Sequence, residues 1–447
     1  MKSHKILLLE KILKYFATRA IEKYKPRIVG VTGSVGKTST KEAIYTVLST
    51  KYRVRKNEKN YNNEIGLPLS VLGLESGGGS FLKWGLVFLG AVGVIFFGRR
   101  KSYPEILVLE MGADRPGDIK YLVDFIRPEV GMVTSVGISH LEFFKDKKQI
   151  AREKSMLLKY LGKDNLAVLN YDDEEVRKMA EQLKAKKIFY GFSQEAQVRA
   201  SDIFFGYEKV EDYHGANIDK IRGISFKLSY EGATMPVRLG HSVGHPQIYS
   251  ALAAAAVGVH FGMNLLEISE ALKNFQAPVG RLNVIDGIKN VMIIEDSYNA
   301  APQSTLAALE VLEKIKARRK LAALGNMLEL GKDTESGHRE VGRKVAEVAD
   351  VLFTIGDKAK FIADEAEKAC LAQVPAERAG LDKNNIFCYD TSSEARVPIQ
   401  NELQEGDVIL IKGSQGARME LISEEIMRYP EQAEKLLPRQ TAEWKKA

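Results

Sequence analysis

The stretch Gly30-Val31-Thr32-Gly33-Ser34-Val35-Gly36-Lys37-Thr38-Ser39-Thr40 has the residue types and spacing to grip a phosphate. An apolar entry, Ile28 and Val29, precedes it, and a helical pattern through Ala43, Ile44, Val47 and Leu48 follows. Strand, glycine-rich turn and helix in that order bring backbone N–H groups and the positive end of a helix to phosphate oxygens. Gly33, Ser34, Gly36 and Ser39 belong to that cradle. Lys37 is spaced to reach the β- and γ-phosphates of a nucleotide, and the Thr38 hydroxyl to ligate Mg2+. The spacing is tighter than in the general phosphate loop, because the position five before Gly36 is Val31.

Further polar groups stand where apolar runs end. Glu110 closes Ile106-Leu107-Val108-Leu109, where a carboxylate can hold Mg2+ opposite Thr38. His140 follows the run 130–136 by one short loop, and Lys154 lies on the next helical stretch. Alone, either would be surface decoration; beside a phosphate site they become metal and catalytic candidates. In the second half, Arg281 has the charge to neutralise a γ-phosphate. Asp296 is a candidate acceptor for ribose hydroxyls and Asn299 a reader of a base edge, although Asp, Asn and Pro302 would equally build an ordinary turn. Lys412, Ser414 and Arg418 follow one more apolar run and offer themselves to an anionic substrate, or form a plain loop.

The elements that must position these groups read as α/β. Residues 5–24 carry a helical apolar period, stopped by Pro26. Strands are expected at 27–32, 105–110, 130–136, 166–170 and 187–190, with helical stretches between, as a mostly parallel sheet requires. An antiparallel ribbon is expected where 224–230 and 234–239 flank Glu231-Gly232. A second module has strands at 291–295, 320–324, 351–355, 386–389 and 407–411. The expected division is an N-terminal helix over 1–26, a central P-loop-type domain over 27–278, and a C-terminal Rossmann-like α/β domain over 279–447.

Composition narrows the function classes. The only cysteines of the 447 residues, Cys370 and Cys388, form neither a CxxC nor a Cys/His cluster, so structural zinc and a disulfide framework are set aside. Residues 1–60 hold fifteen Lys/Arg against four Asp/Glu. No nucleic-acid signature accompanies that basic front, so acidic lipid or nucleotide is the expected counterpart, and nucleic acid is not. Trp84 to Phe97 carries no charge between Lys83 and Arg99-Arg100-Lys101. Fourteen residues are too few to span a bilayer, which needs roughly 20. Two readings stand: a buried helix, or a helix docked on a membrane surface or partner, with the basic N-terminus favouring the membrane.

Taken together, the clusters resemble the Mur ligases, ATP-dependent amide-forming enzymes of peptidoglycan synthesis. The resemblance is carried by Thr32–Thr40, Asn60–Pro68, Leu109–Gly112, His140–Lys154, Asp296–Pro302, Ala323–Gly331 and Lys412–Glu420, in family order. The Asn-Asn-Glu-Ile-Gly, Ser-Tyr-Asn-Ala and Met-Leu-Glu-Leu-Gly runs point to the D-alanyl-D-alanine-adding branch. The resemblance implies a muramoyl-peptide carboxylate activated by ATP as an acyl phosphate, then attacked by the amine of D-Ala-D-Ala. It implies nucleotide contacts from Asn63, Asp296 and Asn299, and catalytic roles for Lys37, His140, Lys154 and Arg281. One Mg2+ is implied at Thr38 and Glu110, and a second at His140 and a carbamylated Lys154. It also implies a cytoplasmic location, with a single copy favoured. Three departures stand out. The domain that holds the UDP end of the substrate is missing before the first strand; Gln247 and Ser250 occupy positions where the family has two adenine-facing asparagines; and 81–101 is longer than usual. These departures leave open a related ligase, or a partner subunit, acting on a lipid-linked or other carboxylate at the inner face of the membrane.

Overall fold

Two sheets, successive along the chain, organise the structure, a computed structural model describing residues 4–58, 61–137, 144, 146–211, 217–240, 242–372, 381–441 and 444. The first sheet holds β1 (Arg27–Thr32), β2 (Val54–Lys56), β3 (Ile106–Glu110), β4 (Val130–Val133), β5 (Leu166–Asn170), β6 (Lys186–Gly191), β7 (Val198–Glu211), β8 (Asn217–Tyr230) and β9 (Ala233–Gly240). Their order is β2-β3-β1-β4-β5-β6-β7-β8-β9, parallel as far as β7 and antiparallel beyond. β3, β4 and β5 are buried along their whole length, as continuous apolar runs in a doubly covered parallel sheet must be. Helices Lys37–Leu48 and His245–His260 cover one face. The unbroken alanines 253–256 of the second helix are fully buried, and their small side chains let it lie close against the first. Helices Asp118–Ile126 and Lys147–Lys159 cover the other face.

The second sheet holds β10 (Asn283–Asp286), β11 (Met292–Asp296), β12 (Lys320–Gly325), β13 (Val351–Ile355), β14 (Ile386–Tyr389) and β15 (Val408–Lys412), in the order β10-β11-β15-β12-β13-β14. Only the edge strand β10 runs antiparallel. Helices Pro302–Lys314, Thr334–Val348 and Lys360–Ala372 pack on one face, and Ser392–Glu402 and Glu420–Ile426 on the other.

The antiparallel ribbon is longer than expected, because β8 begins at Asn217 and a whole strand, β7, precedes it. The charges of Glu208, Lys209 and Glu211 hide β7 from an apolar-run reading. The ribbon reaches the second sheet: Ile221 joins the core around Met292 and Leu312. Asp286 on β10 meets Lys220 at 3.3 Å and Arg222 at 3.4 Å, and a backbone bridge joins Ser242 to Asn283.

The uncharged segment is a helix, Phe81–Phe96, started by the Ser80 side chain, which accepts from the Lys83 N–H. It lies against the N-terminal helix His4–Tyr24. Val87 packs on Leu13 and Leu69, and Ala91 joins the cluster of Ala17, Ala20 and Tyr24. The helix is therefore not buried all round: one side is covered and the other is open. Among the described residues, no helix is long and apolar enough to cross a membrane.

Candidate functional site

The phosphate loop leaves β1 and turns against the end of β4. Gly33 (φ 152°) lies so close to Thr134 that a Cβ would come 1.9 Å from its Oγ1, so only glycine fits. Thr134 Oγ1 donates to the Val35 carbonyl at 2.6 Å, and the Ser34 and Val35 N–H groups bind Ser135 at 2.9 and 3.2 Å. Gly36 (φ 84°) begins the helix Lys37–Leu48 with no side-chain cap, which leaves its first N–H groups free for an anion. Lys37 folds back on the loop, donating to the Gly33 carbonyl at 2.8 Å. Burial lowers its pKa and nearby Arg281 adds to that, while Glu110 and Asp114 oppose it.

Glu110 ends β3 beside Val31 and is 4% exposed. Asn62 donates to its Oε1 at 3.1 Å, while its Oε2 has no hydrogen-bond partner and the nearest ammonium, Lys41, stands 4.0 Å away. A buried carboxylate oxygen left open in this way fits a Mg2+ ligand. Asn57 braces the same strand end, its side chain accepting from the Glu110 N–H at 2.8 Å. Lys41 donates to the Asn57 carbonyl at 2.7 Å. Lys154, on the helix Lys147–Lys159, is 5% exposed and makes no hydrogen bond or ion pair among the described residues. Burial and the neighbouring Lys37 charge push its pKa down to about 7. The adjacent Glu153 points elsewhere, accepting from the Gly117 and Ile119 N–H groups at 2.8 Å each. His140 lies outside the described residues.

From the second sheet, Arg281 reaches the same cleft with its guanidinium over the Tyr298 ring at 4.4 Å. No carboxylate pairs with it among the described residues. Asp296 and Lys412 are register partners on β11 and β15 and pair at 2.6 Å. Burial dominates both, raising the Asp296 pKa and lowering that of Lys412. Lys412 also donates to the Asn299 carbonyl at 2.9 Å. Neither Asp296 nor Lys412 is thus a free group awaiting ribose or substrate, although both line the cleft.

Four other expected residues are engaged within the fold. Asn63 Oδ1 accepts from the Gly66 N–H at 2.9 Å and so fastens the start of the helix Gly66–Leu72. Its neighbour Asn62 is the one that meets Glu110. Ser414 accepts from the Leu328 N–H at 2.9 Å and donates to the Ala300 carbonyl at 3.2 Å, tying three loops together. Arg418 pairs with buried Glu420 at 2.7 Å, and Arg439 holds that carboxylate's other oxygen at 2.6 Å. Arg418 lines a separate cavity of about 630 Å3 at the ends of β12, β13 and β14. Asn299 lines the phosphate cleft, but its Oδ1 accepts from the Ala300 N–H at 2.9 Å.

Sequence reasoning missed Lys41, Asn57 and Asn62 around Glu110. Lys41 sits one helical turn beyond Lys37, a signal that spacing alone carried. It also missed Gln303, which lines both cavities between the sheets. The smaller cavity, about 150 Å3, lies between the phosphate loop and the loop of Leu328 and Glu329. The larger, about 270 Å3, runs from Gly36 past Tyr190 and Tyr249 to Gln247. Gln247 donates to the Arg281 carbonyl at 2.8 Å, and its Oε1 is buried without a partner.

A phosphate loop facing an unpaired arginine across two α/β sheets defines a nucleotide-dependent transfer fold, and sequence comparison gives the class. Residues 31–82 and 93–258 match the Mur ligase middle domain, and 280–415 match the Mur ligase, glutamate ligase domain. The chain belongs to the Mur ligase family, whose members similar to this chain are ATP-dependent enzymes that form C–N bonds. The UDP-N-acetylmuramoyl-tripeptide–D-alanyl-D-alanine ligase of Mycobacterium leprae is 31% identical over 87% of this chain and 71% of its own length. That of Bacillus subtilis is 28% identical over 96% and 82%. The MurF ligase of Thermotoga maritima, solved in complex with ADP, superposes with a TM-score of 0.72 at 25% identity, covering 95% of this chain and 84% of that one.

Proposed function

We propose that this chain uses ATP to join D-alanyl-D-alanine to a muramoyl-peptide carboxylate, with 27–278 as the nucleotide domain and 279–447 as the domain that closes over it. The convergence of Lys37 from one sheet and Arg281 from the other on a single cleft carries the reading. Relatives named for this reaction, and one solved with ADP, support it. The acceptor carboxylate attacks the γ-phosphorus and ADP leaves. The amine then attacks the acyl carbon, inorganic phosphate leaves, and the amine gives up a proton as the amide forms. Negative charge gathers on phosphoryl oxygens, so the chain's task is positioning and cationic stabilisation. The free N–H groups at the start of the helix Lys37–Leu48 hold the phosphates, and Lys37 and Arg281 flank the transferred group. Mg2+, when bound, would neutralise phosphate charge. Thr38 and the open oxygen of Glu110 would hold one ion; a carbamylated Lys154, with His140, would hold a second. Lys154 suits carbamylation because its buried, unpaired amine is readily neutral. The expected setting is cytoplasmic, near the inner face of the membrane. There the exposed side of the helix Phe81–Phe96 favours a lipid-linked acceptor as the second reading.

The direct test is phosphate release from ATP by the full chain, offered D-Ala-D-Ala with a UDP-linked or a lipid-linked muramoyl tripeptide. Release that requires both amine and one acceptor is the expected result; release indifferent to the amine would refute it. The adenine is assigned to the larger cavity, where the open Oε1 of Gln247 can accept from the exocyclic amine. Gln247→Leu should then weaken ADP binding about fivefold to tenfold, the worth of one hydrogen bond of roughly 1 kcal/mol, as read by calorimetry.

A further inference from the structure

The helix Phe81–Phe96 presents two apolar faces, and among the described residues only one has a partner. Leu82, Leu86, Leu89 and Phe96 follow one another at intervals of four, three and seven residues, which keeps them on a single stripe. With Phe81 and Phe97 at the ends, these side chains are between 68% and 93% exposed. The tip of the neighbouring N-terminal helix adds exposed Ile6, Leu7 and Leu8. Isolated exposed leucines are ordinary, but a continuous run of large apolar side chains on one helix marks a docking face.

Charge identifies the occupant. From Gly77 to Pro104 there is no Asp or Glu, while Lys83, Arg99, Arg100 and Lys101 are all exposed at the two ends of the apolar stripe. Lys5 and Lys11 stand exposed on the adjacent helix. Cations bracketing an apolar stripe match an anionic headgroup layer over acyl chains. Sixteen residues give a helix of about 24 Å, short of the roughly 30 Å hydrocarbon core, so it would lie in the interface rather than cross it. The match to the Mur ligase middle domain is interrupted at residues 83–92, inside this helix, so the face is an addition to the shared fold.

We propose that this face is an interfacial docking surface for an anionic lipid bilayer. It names the surface and the headgroup charge behind the membrane setting proposed above, and it stands whichever carboxylate is activated. Its position bears on the site, because Trp84 and Phe88 pack with Tyr61 and Ile65, on either side of Asn62, the Glu110 partner. The docked face is thus a single layer of side chains from the loop that braces the phosphate cleft.

The test is vesicle flotation of the full chain. Phosphatidylcholine vesicles containing about one third phosphatidylglycerol should capture it, and phosphatidylcholine alone should not. Leu86→Glu with Leu89→Glu should lower the captured fraction at least tenfold, and high salt should release the parent. ADP binding and the thermal midpoint of the double variant should match the parent, because both side chains are in solvent. Three results would overturn the proposal. They are no capture of the parent, equal capture of parent and variant, and self-association of the lipid-free parent that the same substitutions abolish, which would make a second copy the occupant. Intact ATP turnover with no capture would remove this proposal and leave the ligase reading standing.

Discussion

Lys154→Ala lowers the ATP-dependent ligation rate by about a thousandfold, roughly 4 kcal/mol of barrier, and millimolar acetate or formate restores part of it. The expectation follows from where the amine sits. A buried lysine with no ion pair is an expensive cation, and its pKa falls to about 7. Near neutral pH about half of it is an uncharged nucleophile. Its lone pair can add to CO2, one proton leaves, and an ammonium becomes a carboxylate-like anion on a long arm. A small carboxylate diffusing into the space left by alanine stands in for that anion. The sign with pH is fixed when dissolved CO2 is held constant: raising pH from about 6 to about 8 then increases the neutral amine, so bicarbonate-depleted protein should regain activity faster as pH rises. A carbamate carbon signal after incubation with 13C-bicarbonate, absent in Lys154→Ala, gives a readout that does not depend on turnover. A variant that melts like the parent, binds ADP, and is rescued by no carboxylate would end this role.

Lys37→Ala costs at least about a hundredfold in phosphate release while leaving the melting midpoint near that of the parent. Lys37 contributes only two hydrogen bonds to carbonyls of its own loop, at 2.8 and 3.3 Å, so its loss barely affects folding. In the proposed reaction its contribution belongs to the triphosphate, where a cation faces charge that grows during transfer. Lys37→Arg should not restore the rate, because the guanidinium fork demands different partners from a point-like ammonium. Stopped-flow detection of phosphate, with ADP affinity measured in parallel, separates lost binding from lost stabilisation. A Lys37→Ala rate within threefold of the parent would remove the phosphate loop from the mechanism.

The inner parallel strands were legible because burial on both faces forces continuous apolar runs: 27–32, 166–170 and 351–355 stand as strands with those limits. β2, β7 and β10 were not, since a three-residue edge, a charged ribbon strand and a short antiparallel edge carry no such run. The shape of the phosphate loop could be read directly, because glycine spacing encodes backbone conformation. Side-chain pairing could not. Asp296 and Lys412 are 116 positions apart, and only the adjacency of β11 and β15 turns two apparent ligands into one ion pair. The same blindness left Asn62 unnoticed beside Glu110. The amides of Asn62 and Asn63 are equally suited to a ligand by type, and only the turn before Gly66 decides which one looks inward.

The ribbon that clasps β10 bears on how the nucleotide is enclosed. With Lys220, Arg222 and the Ser242 bridge all gripping residues 283–286, the second sheet is pinned at one corner. Any swing of that sheet must pivot there, so displacement grows with distance from the pin. Arg281, two residues from the pin, is therefore stationed before ATP arrives, on the same cavity that Lys37 and Glu329 line.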